Sequence, residues 1–375
     1  MGNCCSSNQY SEHENLESIK VEQWFAGNDS FDGVTFNRSI ELEENLSFQR
    51  ILRQAWKNVD LESCTKELPK SPRFNIEAYT SLRYHIQMGV PNFLIRNVIL
   101  KIIYFDDDSA RNNYSGLLDC LDVPDFLDLP RTMEPFFGRK DLTNAFLTIQ
   151  GIISCKRILY VVQNTMREVE VCLILPRFVQ LLLWFLREHE VYQIASVLIQ
   201  ESKTRENCPK FTFHFPLTLL QHKQVARVVL QQVKLRIGKL NQDKMLKLVV
   251  KDMIYNMLVG YISPSFYSLV LMYFITEGIG GLMRIAVSLI IQNKERVEEL
   301  LKPESTLDDL VKNWKRMCLE ELQVIQLLKG AHQIKIDSDS QEASSINTFN
   351  DFFNYLPPFE GNSSILTTNS EVKLT

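Results

Sequence analysis

Histidine is scarce and scattered in this 375-residue sequence. There are six, with no H-x-x-x-H or H-E-x-x-H spacing, so nothing in their pattern favours a metal site. The eight cysteines (Cys4, Cys5, Cys64, Cys120, Cys155, Cys172, Cys208 and Cys318) form no C-x-x-C pair. With no secretory signal, that argues against a zinc cage or a disulfide framework and for a reducing compartment. No tandem repeat of fixed period is present, which excludes a solenoid. Strand-like alternation bounded by turn pairs is scarce, which excludes a sandwich or barrel. Neither a metal nor a cofactor is expected.

What is present is an apolar body between acidic ends. Apolar residues make up 45% of the chain and charged residues 23%, enough for a sizeable core in a protein of ordinary solubility. Residues 1–45 hold nine acids and two bases (net −7), and residues 336–375 six acids and one base (net −5). The total of −4 therefore leaves +8 on the middle. A basic body between acidic tails points to an acidic partner or an anionic lipid surface, against the plainer reading of ordinary surface scatter. Residues 1–45 lack sustained periodicity and read as a flexible arm. Residues 336–375, rich in Ser, Asn and Thr with Pro357 and Pro358, read as a disordered tail. Between them, over 46–335, apolar residues recur at three and four spacings, as in Leu46–Ile51–Trp56 and Leu82–Ile86–Met88. The expectation is an all-α, multi-helical domain.

Two stretches have the composition of membrane spans. Residues 257–276 carry no charge and are long enough to cross a bilayer. However, Pro264 between Ser263 and Ser265 reads as a helix start, and the stretch from there to Glu277-Gly278 is too short to span. Residues 171–186 contain Arg177. Both are read as buried core helices.

The first six residues, Met-Gly-Asn-Cys-Cys-Ser, fit the N-myristoylation pattern at Gly2. One myristoyl chain anchors only marginally, so stable attachment needs a second signal. The acidic segment after them offers no polybasic run, which leaves palmitate on Cys4 or Cys5. The expected location is the cytoplasmic face of a membrane.

Residues 223–251 are basic: Lys223, Arg227, Lys234, Arg236, Lys239, Lys244, Lys247 and Lys251 face only Asp243. Val228, Val229, Leu235, Leu246 and Val250 are interleaved with them, which predicts amphipathic helices. Lys223 and Arg227 share a helix face, as do Lys247 and Lys251. A solvated helix face and an anionic lipid surface, where each base near the leaflet adds about 1 kcal/mol, both fit. Nucleic acid is not expected, because the run lacks aromatics.

One stretch carries a resemblance. Asp128-Leu129-Pro130-Arg131-Thr132, followed by Pro135-Phe136-Phe137, resembles the signature of the TBC domain, the fold of GTPase-activating proteins for Rab GTPases. Other segments come in the family's order. Leu82 to Leu94 resembles its opening element, where one helix ends at Gly-Ile/Val-Pro and another starts. Tyr114, Leu117 and Leu118 resemble a Y-x-x-L-L element. Arg157 to Cys172, with Glu168 and Val169, resembles the helix running into E-V-G-Y-C-Q, and Pro264 to Arg284 the closing helix pair. The resemblance covers about residues 75–335.

There are departures. The residue three before the signature Asp is Asp125, the L-R-G-x-x-W motif is out of register at Leu94 to Ile99, and R-x-x-D reads Leu269 to Met272. The family's catalytic glutamine falls at Leu173. This erosion is most similar to the divergent Skywalker-like branch, whose members are associated with vesicle membranes and phosphoinositides. The resemblance implies a Rab-type small GTPase as partner, with Arg131 as an arginine finger. Such a finger neutralises charge on the transferring phosphoryl group and raises turnover about 10³–10⁵-fold. The alternative for Arg131 is a structural arginine paired with Asp128. Leu173 cannot orient a water, so the glutamine's role is unfilled unless the GTPase supplies its own. Two functions stay open: a Rab GTPase-activating protein in vesicle traffic, and a catalytically silent adaptor that binds phosphoinositide or a GTPase. By the same resemblance Arg284 helps hold a phosphoinositide head group; the alternative is a pair with Glu277.

Overall fold

The computed structural model describes residues 52–59, 61, 73–74, 80–82, 85–86, 89–104, 106–121, 123, 147–166, 169–204, 213–237, 244–245, 247–262, 266–300, 312, 327, 330–331 and 333–336. The expected flexible arm, the lipidation residues Gly2, Cys4 and Cys5, and the D-L-P-R-T stretch with Arg131 lie outside the described residues, as does the tail apart from Ile336. Ile336 itself is buried, so the packed body reaches at least that far.

The regular elements among the described residues are helices, as the 3.6-residue periodicity predicts, apart from one two-stranded sheet and an isolated bridge between Val259 and Ile262. Strand β1 (Arg73–Phe74) pairs antiparallel with β2 (Ile103–Tyr104), Phe74 opposite Ile103. Helix α1 (Ile95–Ile102) leads directly into β2. Ahead of it, Gly89 takes φ +110°, and a Cβ there would stand 3.1 Å from Leu52 Cδ2 and 3.3 Å from Leu269 Cδ1. Only glycine fits both the conformation and the space. The Gly89 carbonyl accepts a 2.8 Å hydrogen bond from Trp56 Nε1, and Pro91 precedes the single 3₁₀ turn Asn92–Leu94 that opens α1. The break expected at Gly-Val-Pro is therefore real.

Helix α2 (Asp107–Cys120) carries Asp107 and Asp108 in its first turn, where the helix dipole favours acids. Helix α3 (Ile149–Thr165) is capped by Thr148, whose hydroxyl accepts from the Gly151 amide at 3.1 Å. Pro176 occupies the first turn of α4 (Leu175–Leu182), where its missing N–H costs nothing. Helix α5 (Glu188–Thr204) opens on Glu188 and Glu190 and closes near Lys203. Helix α6 (Leu219–Ile237) begins with a capping box. Thr218 Oγ1 accepts from the Gln221 amide at 3.2 Å, and Gln221 Oε1 reaches back to the Thr218 amide at 3.2 Å and the Leu217 amide at 2.6 Å. This T-x-x-Q pattern satisfies donors that the helix start leaves orphaned.

Residues Lys247–Ile254 form a π-helix, where the sequence reading predicts an α-helix. Its end is irregular: Met257 and Leu258 both take positive φ, followed by Gly260 at +89°.

Helix α7 (Tyr267–Gln292) consists of two helical halves that meet at a kink at Gly278, the boundary expected at Glu277-Gly278. Taken together the 26 residues are, among the described residues, the one helix long and apolar enough to cross a membrane. Nearly all of its side chains are buried in the fold. Gly278 breaks it locally at φ 64°, ψ −157°, a conformation essentially reserved to glycine. The ladder groups freed by the break are satisfied from outside. The Ile279 amide donates to the Phe213 carbonyl at 2.9 Å, and His214 Nε2 donates to the Ile275 carbonyl at 2.7 Å. The 213–215 segment is held in turn by Ser202, whose hydroxyl oxygen accepts from the His214 and Phe215 amides. Around this break Phe178, Phe215 and Phe274 pack edge to face with centroids 5.2–5.5 Å apart. The expected closing helix pair is thus present, its two helices meeting at Gly278 and held together there by these contacts. Helix α8 (Lys294–Leu300) comes after it. The second suspected span, 171–186, is also core: α4 is buried along its whole length, Arg177 included.

Candidate functional site

The turn at 169–174, between α3 and α4, holds Leu173, where the resemblance in sequence would put a catalytic glutamine. It is fixed from several sides. The amides of Glu170 and Val171 both donate to the Leu217 carbonyl, at 3.0 and 3.2 Å. The Glu170 carboxylate accepts from the Leu219 amide at 3.2 Å and so caps α6. His222 Nε2 lies 3.4 Å from the Val171 carbonyl, which can only accept. That bond makes Nε2 the protonated nitrogen, and Nδ1 then accepts from the Tyr255 hydroxyl at 2.6 Å. Burial pushes the Tyr255 phenol well above its ordinary range. Leu173 on this turn is 7% exposed, and Cys172 beside it is fully buried. The position is therefore apolar and largely closed. Arg131 and Asp128 lie outside the described residues, as does Glu168 of the E-V motif.

The basic candidates separate. On α6, Lys223 is half-buried and Arg227 exposed, while Val225, Val228 and Val229 of the opposite face are buried. Leu235 does not belong to that buried face, contrary to the sequence reading: it is 74% exposed. Lys247 and Lys251 fall within the π-helix, their side chains outside the described residues. Arg284, on α7, is bonded through Nη2 to Glu277 Oε2 at 2.9 Å, the pairing that the sequence offered as the alternative to a head-group site.

A polar junction that sequence reasoning missed lies at the start of α5. Three consecutive residues between them reach three other helices. Glu188 accepts from Arg157 Nη2 of α3 at 2.8 Å and from the Tyr114 hydroxyl of α2 at 2.7 Å. His189 Nε2 meets Asp107 Oδ1 of α2 at 2.7 Å. Glu190, fully buried, takes Arg96 of α1 in a two-pronged pair and accepts from the Arg187 amide at 2.8 Å. Burial pulls the Asp107 carboxyl upward, but the His189 hydrogen bond and the charges of His189, Arg111 and Arg187 outweigh it and hold the group below its usual value. Burial, with the Glu188 charge, drives the Tyr114 phenol far upward. Asp107, His189 and Glu190 present ligand atoms within 4.8 Å of one another. Both Glu190 oxygens are already held by Arg96, and the guanidiniums of Arg96, Arg111 and Arg187 are gathered there. Such a surround opposes a divalent cation, and the chemistry fits a structural clasp of four helices. A buried charge paired in this way leaves no periodic trace in the sequence.

The TBC domain of Skywalker from Drosophila melanogaster, in complex with inositol(1,4,5)triphosphate, is similar in structure, at 17% identity and a TM-score of 0.39 over 68% of this chain and 95% of that one. The same domain alone gives 17% identity and a TM-score of 0.38 over 74% of this chain and 94% of that one. Protein-family models give no match, and neither do the curated proteins.

Proposed function

We propose that this chain is a membrane-anchored, TBC-like regulator of a Rab-type small GTPase, acting in vesicle traffic on the cytoplasmic face of a membrane. The observation that carries the reading is the order of the motifs, from Leu82–Leu94 through Asp128–Thr132 and Arg157–Cys172 to Pro264–Arg284. The chain break at Gly89–Pro91 and the interrupted helix at Gly278 stand where the first and last of these motifs ask for helix boundaries. In this reading Arg131 supplies charge to the transition state and the GTPase supplies its own glutamine to position water. Gly2 carries the myristoyl chain and Cys4 or Cys5 the palmitate that makes attachment stable.

A second reading, a catalytically silent adaptor that binds phosphoinositide or a GTPase, is favoured by Leu173, an apolar and nearly closed residue where the catalytic glutamine is expected.

Single-turnover GTP hydrolysis across a panel of Rab GTPases separates the two. Stimulation that Arg131→Lys removes supports the finger, because a flexible ammonium cannot reproduce the guanidinium fork. Binding to a Rab without stimulation supports the adaptor. Neither binding nor stimulation on any Rab overturns the proposal. For the anchor, Gly2→Ala is expected to move the protein to the soluble fraction of a cell lysate once the membranes are washed in high salt; pelleting through that wash argues against it.

A further inference from the structure

Helix α6 is amphipathic in an unusual way. Its inner face, including Val225, Ala226, Val229 and Val233, packs against α7 and the π-helix. Its outer face is not simply polar. Leu220 is 65% exposed and Leu235 74%, and among the described residues only Ile149 matches them as an exposed large apolar side chain. At 100° per residue, Leu220, Lys223, Gln224, Arg227, Gln231, Lys234 and Leu235 fall within an arc of about 120°. The two leucines are about 22 Å apart along the axis, with the bases between them. Arg227 and Lys234 are exposed and Lys223 half-buried. The whole of Leu219–Ile237 contains no acid.

Single exposed leucines need no explanation. Two on one arc, separated only by bases and amides, have the chemistry of an interfacial helix: apolar side chains enter the acyl boundary while Lys and Arg stems snorkel to anionic head groups. We propose that this outer face of α6 docks flat on an anionic bilayer surface. The inference rests on the proposed membrane attachment and adds to it an orientation: α6 faces the lipid, and the α5 junction, on a different part of the bundle, does not take part. Charge complementarity selects the occupant, since a neutral apolar groove on another protein would leave the bases unmatched.

The test uses the full chain carrying Gly2→Ala, so that no acyl chain contributes, in co-sedimentation with phosphatidylcholine vesicles with and without phosphatidylserine. Binding is expected only with phosphatidylserine and is expected to weaken as salt is raised. Arg227→Gln with Lys234→Gln is expected to lower partitioning about thirtyfold, from about 1 kcal/mol for each base. Leu220→Ser with Leu235→Ser is expected to lower it at least about tenfold while leaving the salt dependence in place. All four positions are exposed, so the melting temperature of both variants serves as the folding control. Equal binding to neutral vesicles, or partitioning of either variant at the level of its parent, overturns the proposal. Neither result depends on a GTPase, so failure here leaves the hydrolysis experiment to be decided on its own.

Discussion

Glu277 and Arg284 lie on either side of the break at Gly278, and their side chains meet at 2.9 Å. Both are largely buried, at 14% and 19% side-chain exposure. The pair therefore bridges the two halves of α7 where the backbone ladder is interrupted. Removing either partner takes a charge-assisted hydrogen bond away from a largely buried group, so Glu277→Gln and Arg284→Gln are each expected to cost about 1–3 kcal/mol. The double variant should cost less than the sum, and urea unfolding of the four proteins measures the coupling. Strict additivity would show that the pair does not bridge the break.

The Arg96–Glu190 pair is the deeper one, since Glu190 is wholly buried while Arg96 keeps a quarter of its side-chain surface in water. Glu190→Ala strands the guanidinium, at a cost near the lower end of the range for breaking a buried pair, about 3 kcal/mol. Replacing both residues, with Arg96→Met and Glu190→Leu, is expected to recover most of that loss, because the expense lies in the unpaired charge. Urea midpoints compared at constant slope check both outcomes.

The sequence shows the helices and the position of the broken segment, because apolar spacing and a lone Gly-Val-Pro or Glu-Gly step are local signals. Leu82, Ile86, Val228 and Val229 are buried as their spacing requires. It shows less where apolar residues are merely counted along a basic run: such a count groups Leu235 with Val228 and Val229, whereas its angle at about 100° per residue sets it apart from Val225, Val229 and Val233, and it is 74% exposed. The capping box Thr218-x-x-Gln221 is a local signal too, legible in the residues although the periodicity argument passes over it. The α5 junction is not legible, since Arg96, Asp107, Tyr114, Arg157 and the Glu188–Glu190 triplet are brought together from four helices by tertiary packing. The continuation of α7 past Gly278 depends likewise on distant donors and acceptors, His214 and Phe213, that repair its ladder.

Asp107 gives a pH signature. Its carboxyl is held below the ordinary value, so it contributes stability that is fully present above the unfolded-state pKa and is lost as pH falls through the lower folded-state value. The window is therefore below about pH 4. Because the side chain is 45% exposed, solvent screens the contribution to less than about 1 kcal/mol. Asp107→Asn should be less stable than the parent at neutral pH, and the gap should close on acidification below about pH 4. Unfolding midpoints at a series of acid pH values test this; a gap that widens toward low pH would contradict the assignment.

The surroundings of Leu173 test the proposal that a catalytic glutamine has been replaced there. Its turn is pinned by Leu217, Glu170 and His222, and the side chain is 7% exposed. A glutamine there brings an amide of two donors and an acceptor into an apolar setting, and an unsatisfied buried amide costs about 1–3 kcal/mol. Leu173→Gln is accordingly expected to melt at a lower temperature than the parent and to leave Rab GTP hydrolysis at the parent's level, because a closed turn cannot present the amide to an attacking water. Differential scanning calorimetry and single-turnover hydrolysis on the same preparation give both readouts. A melting temperature equal to the parent's, together with faster hydrolysis, would show that the side chain at 173 turns outward and that leucine alone keeps the site from positioning water.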